Sequence, residues 1–209
     1  MFCEKTTLLF TGFDDFEAML NNPSGQLAHF LQDNIKESKS LEIISLNLPV
    51  IYDKSFKFLK ESIIKFKPNF IIMFGADSRP NSINKNLVRV EKKAQNEDNA
   101  SIADASNDFR QGSKILSQYA FSEKLKTKVK ALPLKKVLET SGVNVKTNTD
   151  AGRFVCNNLY FHTLNFITSE NLNTEAVFIH IPISFQLKQS LHVFKTTVEH
   201  LTKNSLKLK

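Results

Sequence analysis

Tryptophan is missing from this 209-residue chain, and cysteine occurs only at Cys3 and Cys156. Two thiols so far apart, one of them next to the amino terminus, make no disulfide framework, and a reducing compartment is the simpler expectation. No stretch approaches the ~20 apolar residues that a membrane helix needs. The start lacks the order of a secretion signal, because Glu4 and Lys5 precede a strand-like TTLLF. The expected location is the cytoplasm, with no membrane partner. CxxC, HExxH and any close pair of histidines are also absent, so no metal site is expected. Without a Walker loop or GxGxxG, no organic cofactor is implied. A GxSxG elbow is missing too, which argues against a serine hydrolase of the α/β type.

Acidic charge is in deficit. Twenty-eight Lys and Arg face 21 Asp and Glu, for a formal charge of +7. Arginine accounts for only four of the cations, Arg79, Arg89, Arg110 and Arg153. The lysines alternate at Lys124, Lys126, Lys128 and Lys130 and close the chain at Lys203, Lys207 and Lys209. No zinc-finger spacing or aromatic-bearing RNA motif accompanies them, so they are read as a solvated surface and no nucleic-acid partner is expected.

What remains is globular: 41% of the residues are hydrophobic, with 18 Phe as the main aromatic. TTLLFT (6–11) and NFIIMF (69–74) are continuous apolar runs ended by Gly12 and Gly75, the pattern of buried strands. Further strands are expected over 41–48, 143–147 and 176–181. Helical spacing predicts helices over 24–38 with Ser24 as the cap, 54–66, 134–141, from Gly152 to 166, and 185–202. Residues 76–130 are polar and lack periodicity, which in a compact domain marks a functional or flexible loop. Alternating apolar strands and helices predict one α/β domain over 1–209, a largely parallel twisted sheet with helices on both faces.

In such sheets ligands bind beyond the carboxyl ends of the strands. The segments leaving those ends are TGFDDF, GADSRP, TNTDAGRFVCNN and the His180 end of VFIHIP. Cys156 falls in the first turns of a predicted helix, where the dipole and free N–H groups favour a thiolate and could hold an oxyanion. A helix cysteine taken alone is more often a small buried hydrophobe, and a lone strand histidine more often a satisfied core residue. Together they supply a nucleophile and its base, and a third group must orient the imidazole. Asp77, Glu91, Glu97 and Asp98 are all candidates on pattern alone.

The motifs, in order, resemble those of the pyroglutamyl peptidase I family. TGFDDF is similar to TGF-x-PF, NNPS to NPS, LPVIYDKS to LPV-x-F-x-KS, and KPNFIIMFGADSRP to the KPD strand with its glycine loop ending in Arg. RVEKKAQN resembles the segment with the catalytic glutamate, ALPLKKV resembles STLP-x-K, DAGRFVCN resembles AG-x-FVCN, and FIHIP resembles FIHVP. The resemblance implies a cysteine peptidase that removes N-terminal pyroglutamate from peptides and assembles as homodimers or homotetramers. It implies Cys156 as nucleophile, His180 as base and then acid, and Glu91 as its orienting partner. Phe13, Phe16, Phe154 and Val155 would contact the lactam ring, with Arg79 beside the site. Ala76 stands where the family has Gln or Leu, Glu17-Ala18 where it has GG, and Asp104-Ala105-Ser106-Asn107 where it has DNEG. Gly75 and Glu91 are several residues further apart than in the family.

Overall fold

The computed structural model describes residues 5–187 and 194–199. Its centre is a six-stranded sheet in the order β2–β1–β3–β10–β4–β9. The strands are β1 (Thr6–Phe13), β2 (Leu41–Leu48), β3 (Phe70–Asp77), β4 (Leu87–Glu91), β9 (Asn144–Asn148) and β10 (Glu175–Pro182). β2, β1, β3 and β10 are mutually parallel, whereas β10 meets β4 antiparallel and β4 runs parallel with β9. The largely parallel sheet expected from the apolar runs is there, with two strands at one side reversed.

Period-two alternation sorts the side chains to two faces. Leu8, Phe10, Ile72, Phe74, Val88, Val90, Val177 and Ile179 form one core with α1 (Pro23–Asn34) and α4 (Ala131–Thr140). Leu9, Phe13, Ile71, Met73 and Phe178 form the other with α2 (Lys54–Phe66) and α5 (Val155–Ser169). Helices therefore cover both faces. Phe194 and Val198 of the helical segment 194–199 join the first core; the remaining parts of the expected 185–202 helix that fall at 188–193 and 200–202 lie outside the described residues. Gly12 has a backbone reason for its place: a Cβ there would collide with the Ser24 carbonyl, so β1 and the start of α1 touch main chain to main chain.

Several boundaries differ from the sequence reading. The α1 cap is Asn22, whose side chain accepts from the Ser24 N–H, and not Ser24 itself. Ser24 instead uses its hydroxyl to accept from the Phe13 N–H. α5 begins at Val155, with Gly152 in the approach loop at φ 86°. The largest difference is residues 76–130, which hold α3 (Pro80–Asn84), the core strand β4, and two small ladders, β5 (Lys93–Gln95) with β8 (Lys124–Lys126) and β6 (Asp98–Asn99) with β7 (Gln111–Ser113).

Side chains rather than apolar periodicity hold that region in place. Buried Asn157 of α5 donates to the Gln95 and Glu97 carbonyls at 2.8 and 3.0 Å and accepts from the Gln95 N–H at 2.9 Å. Buried Asn96 bonds the Leu116, Tyr119 and Ala120 carbonyls and the Leu116 N–H. Removing such a group strands several buried backbone atoms at once. Asn157→Ala is expected to lower stability to urea by about 2–3 kcal/mol. A loss under about 0.5 kcal/mol would mean that residues 93–97 keep their place without it.

Candidate active site

The same alternation that builds the core brings the polar residues to one face. On β10, Val177, Ile179 and Ile181 point to the α1 side, so Phe178 and His180 point toward α5. On β4, Val88 and Val90 take the α1 side, leaving Arg89 and Glu91 with His180. In register, Glu91 lies opposite Phe178 and Arg89 opposite His180. Glu91 and His180 are thus diagonal neighbours across the antiparallel join, and His180 Nδ1 meets Glu91 Oε1 at 2.9 Å.

Cys156 arrives from the helix side. The hydrogen bonds of the first turn of α5 begin with the Asn157 and Asn158 N–H groups, both to the Phe154 carbonyl, and no side chain caps the helix. The N–H groups of the first turn stay open, as at any helix start, next to the positive end of the dipole. Gly75 of β3 lets the thiol approach: a Cβ there would lie 2.9 Å from Cys156 Sγ and 2.8 Å from the Phe178 ring. β9 ends level with Phe178, since Asn148 pairs with Glu91. The 149–154 loop therefore climbs back to the carboxyl edge of the parallel strands before α5 starts.

His180 is buried and Glu91 is fully so, with side-chain exposures of 7% and 0%. Burial works against charge on the imidazole, but the Cys156 side chain and the Glu91 carboxylate outweigh it and push its pKa well above the ordinary histidine range. Cys156 and His180 border the same cavity. Asn148 Nδ2 adds a longer bond of 3.3 Å to Glu91 Oε1, whereas Glu91 Oε2 has no partner among the described residues.

The other three carboxylate candidates are engaged elsewhere. Asp77 holds Arg79, Arg89 and Ser82. Burial again opposes its charge, yet the bonds from Arg79 and Ser82 keep its pKa well below the usual carboxylate range. Glu97 pairs with Arg153 at 2.8 Å, and Asp98 with Arg110 at 2.9 Å and with Asn158.

Two cavities meet at Cys156. The first, about 120 Å³, is lined by Phe13, Phe16, Met19, Val50, Phe154 and Val155 with Ile102, Asn22 and Ser78. The second, about 340 Å³, is more polar than the first and runs past Ser78, Arg79, Asn99, Ser101 and Arg153 to His180. Ala76, Ser78, Ile102, Phe154 and Cys156 border both. All the expected substrate-side residues are here: Phe13, Phe16, Phe154 and Val155 in the small slot, and Arg79 in the groove, its guanidinium bonded to Asp77. Sequence reasoning missed Ile102, Val50 and Met19. Ile102 did carry a signal, as a single large aliphatic residue in the otherwise polar run 96–108.

A thiol, an imidazole and a buried carboxylate in this order, at the carboxyl edge of a parallel sheet, put fold and site in the class of cysteine-dependent hydrolases. The sequence model of the family described as pyroglutamyl peptidase matches residues 6–197, and the chain belongs to that family. Pyrrolidone-carboxylate peptidase of Brachyspira hyodysenteriae is 30% identical over 83% of this chain and 82% of its own. The Bacillus cereus enzyme of that name is 32% identical over 84% and 78%. Among solved structures, pyroglutamyl peptidase I of Bacillus amyloliquefaciens superposes with a TM-score of 0.81 at 25% identity, covering 92% of both chains. A mutant pyrrolidone carboxyl peptidase of Pyrococcus furiosus gives 0.83 at 19% identity, covering 96% of this chain and all of the other, a likeness of fold.

The closeness of Gly75 to the thiol is open to test. Gly75→Ala should force Cys156 Sγ or the Phe178 ring aside and loosen the thiol from His180. Alkylation of Cys156 by iodoacetamide at neutral pH, read by mass spectrometry of its peptide, should slow by about fivefold with the fold retained. An unchanged rate would show that the β3 approach does not set the thiol's position.

Proposed function

We propose that this chain hydrolyses the bond after an N-terminal pyroglutamyl residue of a peptide, with Cys156 as nucleophile, His180 as general base and acid, and Glu91 as the group that orients His180. One observation carries the reading: the Glu91–His180 pair ends at a thiol that sits at the mouth of a small apolar slot. An N-terminal pyroglutamyl group has no charged amine, so its recognition needs an apolar cavity with few polar groups. Phe13, Phe16 and Phe154 supply the walls. At about 120 Å³ the slot has room for one small ring, which would limit release to one residue, and the wider groove beside it has room for the leaving peptide.

In the reaction the Cys156 thiolate adds to the pyroglutamyl carbonyl carbon, and open N–H groups at the start of α5 are suited to the oxyanion. Collapse of the adduct breaks the C–N bond as the His180 imidazolium gives its proton to the leaving amine. The neutral imidazole then takes a proton from water, whose hydroxide displaces the thiolate and releases pyroglutamate. Glu91 keeps Nδ1 oriented and stabilises the imidazolium. Every step uses only the chain's own groups and water.

The deciding assay is hydrolysis of a pyroglutamyl anilide by the purified protein, which should be abolished by prior alkylation with iodoacetamide. No hydrolysis by the untreated protein would leave a binding protein on a peptidase fold. Cys156→Ser should lower kcat/KM by about three orders of magnitude, because a hydroxyl is a far poorer nucleophile than a thiolate.

Glu91→Gln should leave residual activity, since an amide still holds the ring. It should also change the pH profile in a fixed direction. The raised pKa of His180 keeps the imidazolium present up to high pH, and activity that needs it is lost as pH rises through that value. Without the carboxylate, the alkaline limb of kcat/KM should move down by about one pH unit or more. A limb that stays in place, with kcat/KM unchanged at neutral pH, would hand the role to another carboxylate.

Phe13→Ala opens one wall of the slot. It should raise KM for the anilide by about tenfold with the fold intact. Unaltered KM would move the ring to another cavity.

A further inference from the structure

Ile102 is 44% exposed, yet it borders both the slot and the groove. It belongs to the 99–110 segment, a strap over the mouth of the slot that no helix or apolar core secures. Polar contacts hold it instead. The Ala105 N–H donates to the Val50 carbonyl at 2.8 Å. Asp104 Oδ2 accepts from the Tyr52 N–H at 2.9 Å, and Oδ1 accepts from the Ser106 and Asp108 N–H groups at 2.8 and 3.0 Å.

At the far end of the strap stands Arg110. Its Nε meets Asp108 at 2.8 Å, Nη1 meets Asp98 at 2.9 Å and Nη2 meets Asp53 at 2.8 Å. The guanidinium also lies over the Tyr52 ring, 4.5 Å from its centroid. Asp53 precedes α2 and Asp98 opens β6, and both accept from Asn158 Nδ2, two residues along α5 from Cys156. One arginine thus ties the strap to the start of α2 and to the helix that carries the thiol. Its rigid planar fork aims Nε, Nη1 and Nη2 at three separate carboxylates; the compact, tetrahedral ammonium of a lysine would keep only part of that set.

We infer that Arg110 is a positioning residue for the pyroglutamyl slot: by clasping Asp53, Asp98 and Asp108 it fixes the strap so that Ile102 closes the slot over the substrate ring. The inference deepens the reaction proposed above and rests on it. Arg110 itself borders neither cavity. Its influence must therefore pass through the strap, and it should act on substrate binding and not on the reacting groups.

A double-mutant cycle on the anilide tests this. Ile102→Ala and Arg110→Gln should each raise KM by about five- to tenfold with kcat changed less than about twofold. The double variant should stay within about twofold of the weaker binder of the two. Multiplied effects would route Arg110 through another wall, such as Phe154, and overturn the proposal, as would a fall in kcat alone. Should Arg110→Gln fail to fold, Arg110→Lys and Asp108→Asn remove only part of the clasp, and each should raise KM by about two- to fourfold; no rise overturns the proposal. If the wild-type protein does not cleave the anilide, the reaction reading fails separately. Hydrogen exchange of the 99–108 amides then reads the clasp: Arg110→Lys should speed it about tenfold, and unchanged exchange overturns the strap as well.

Discussion

A carboxylate sealed from water must have a cation or donors at hand, and Glu91 puts that demand on His180. Its side chain is fully buried, one oxygen faces the imidazole, and the other has no partner among the described residues. The neutral ring would leave the charge poorly compensated, so the site favours imidazolium. This one requirement shapes the sheet. β4 must enter beside β10 in the register that puts Glu91 opposite Phe178, and it does so antiparallel. The same register sets Arg89 opposite His180, where it reaches across to Asp77 at the end of β3. Two charge pairs lie side by side on one face without exchanging partners.

The thiol is brought to that face by packing and not by charge. α5 buries Val155, Leu159, Tyr160, Phe161 and Leu164 against the sheet, and Tyr160 also donates to the Glu91 carbonyl at 3.0 Å. A helix fixed along its length has no freedom at its first turn, so Cys156 stands wherever the β3 surface permits. Gly75 is the permission. Backbone there faces a sulfur where any side chain would face a collision.

The parts of this arrangement that follow apolar periodicity could be read from the sequence. β2 and α2 occupy the very residues expected, β1, β3, β10 and α5 differ by a few residues at their ends, and the motifs around Cys156 and His180 lie on them. β4 was illegible because LVRVE is short, sits between polar segments, and alternates a core valine with a charged residue whose partner is distant in sequence. Glu91 could be singled out only through the resemblance of RVEKKAQN to a family motif, and the hydrogen bond to His180 supplies the physical reason. The antiparallel join has no signature in either strand alone, since it depends on which edges meet.

Residues 92–126 were illegible for a different reason. Hydrogen bonds from Asn96, Asp104 and Asn157 to backbone atoms leave no repeat, because each bond is a single local event. They do follow rules once the geometry is known. Asp104 accepts from several N–H groups, and the turn after it needs a left-handed residue at Asn107, φ 65°. The family's DNEG has glycine at that place; asparagine is among the few other residues that adopt the conformation readily. The departure from the motif therefore preserves the turn, and with it the strap. Ala76 departs in the opposite sense: it borders both cavities with a single methyl group. A longer side chain there would fill the junction of slot and groove. The fixed strap and the open junction together give a site whose outer wall is held by polar bonds and whose inner wall is held by the core, so changes in one can alter what binds without disturbing the residues beneath.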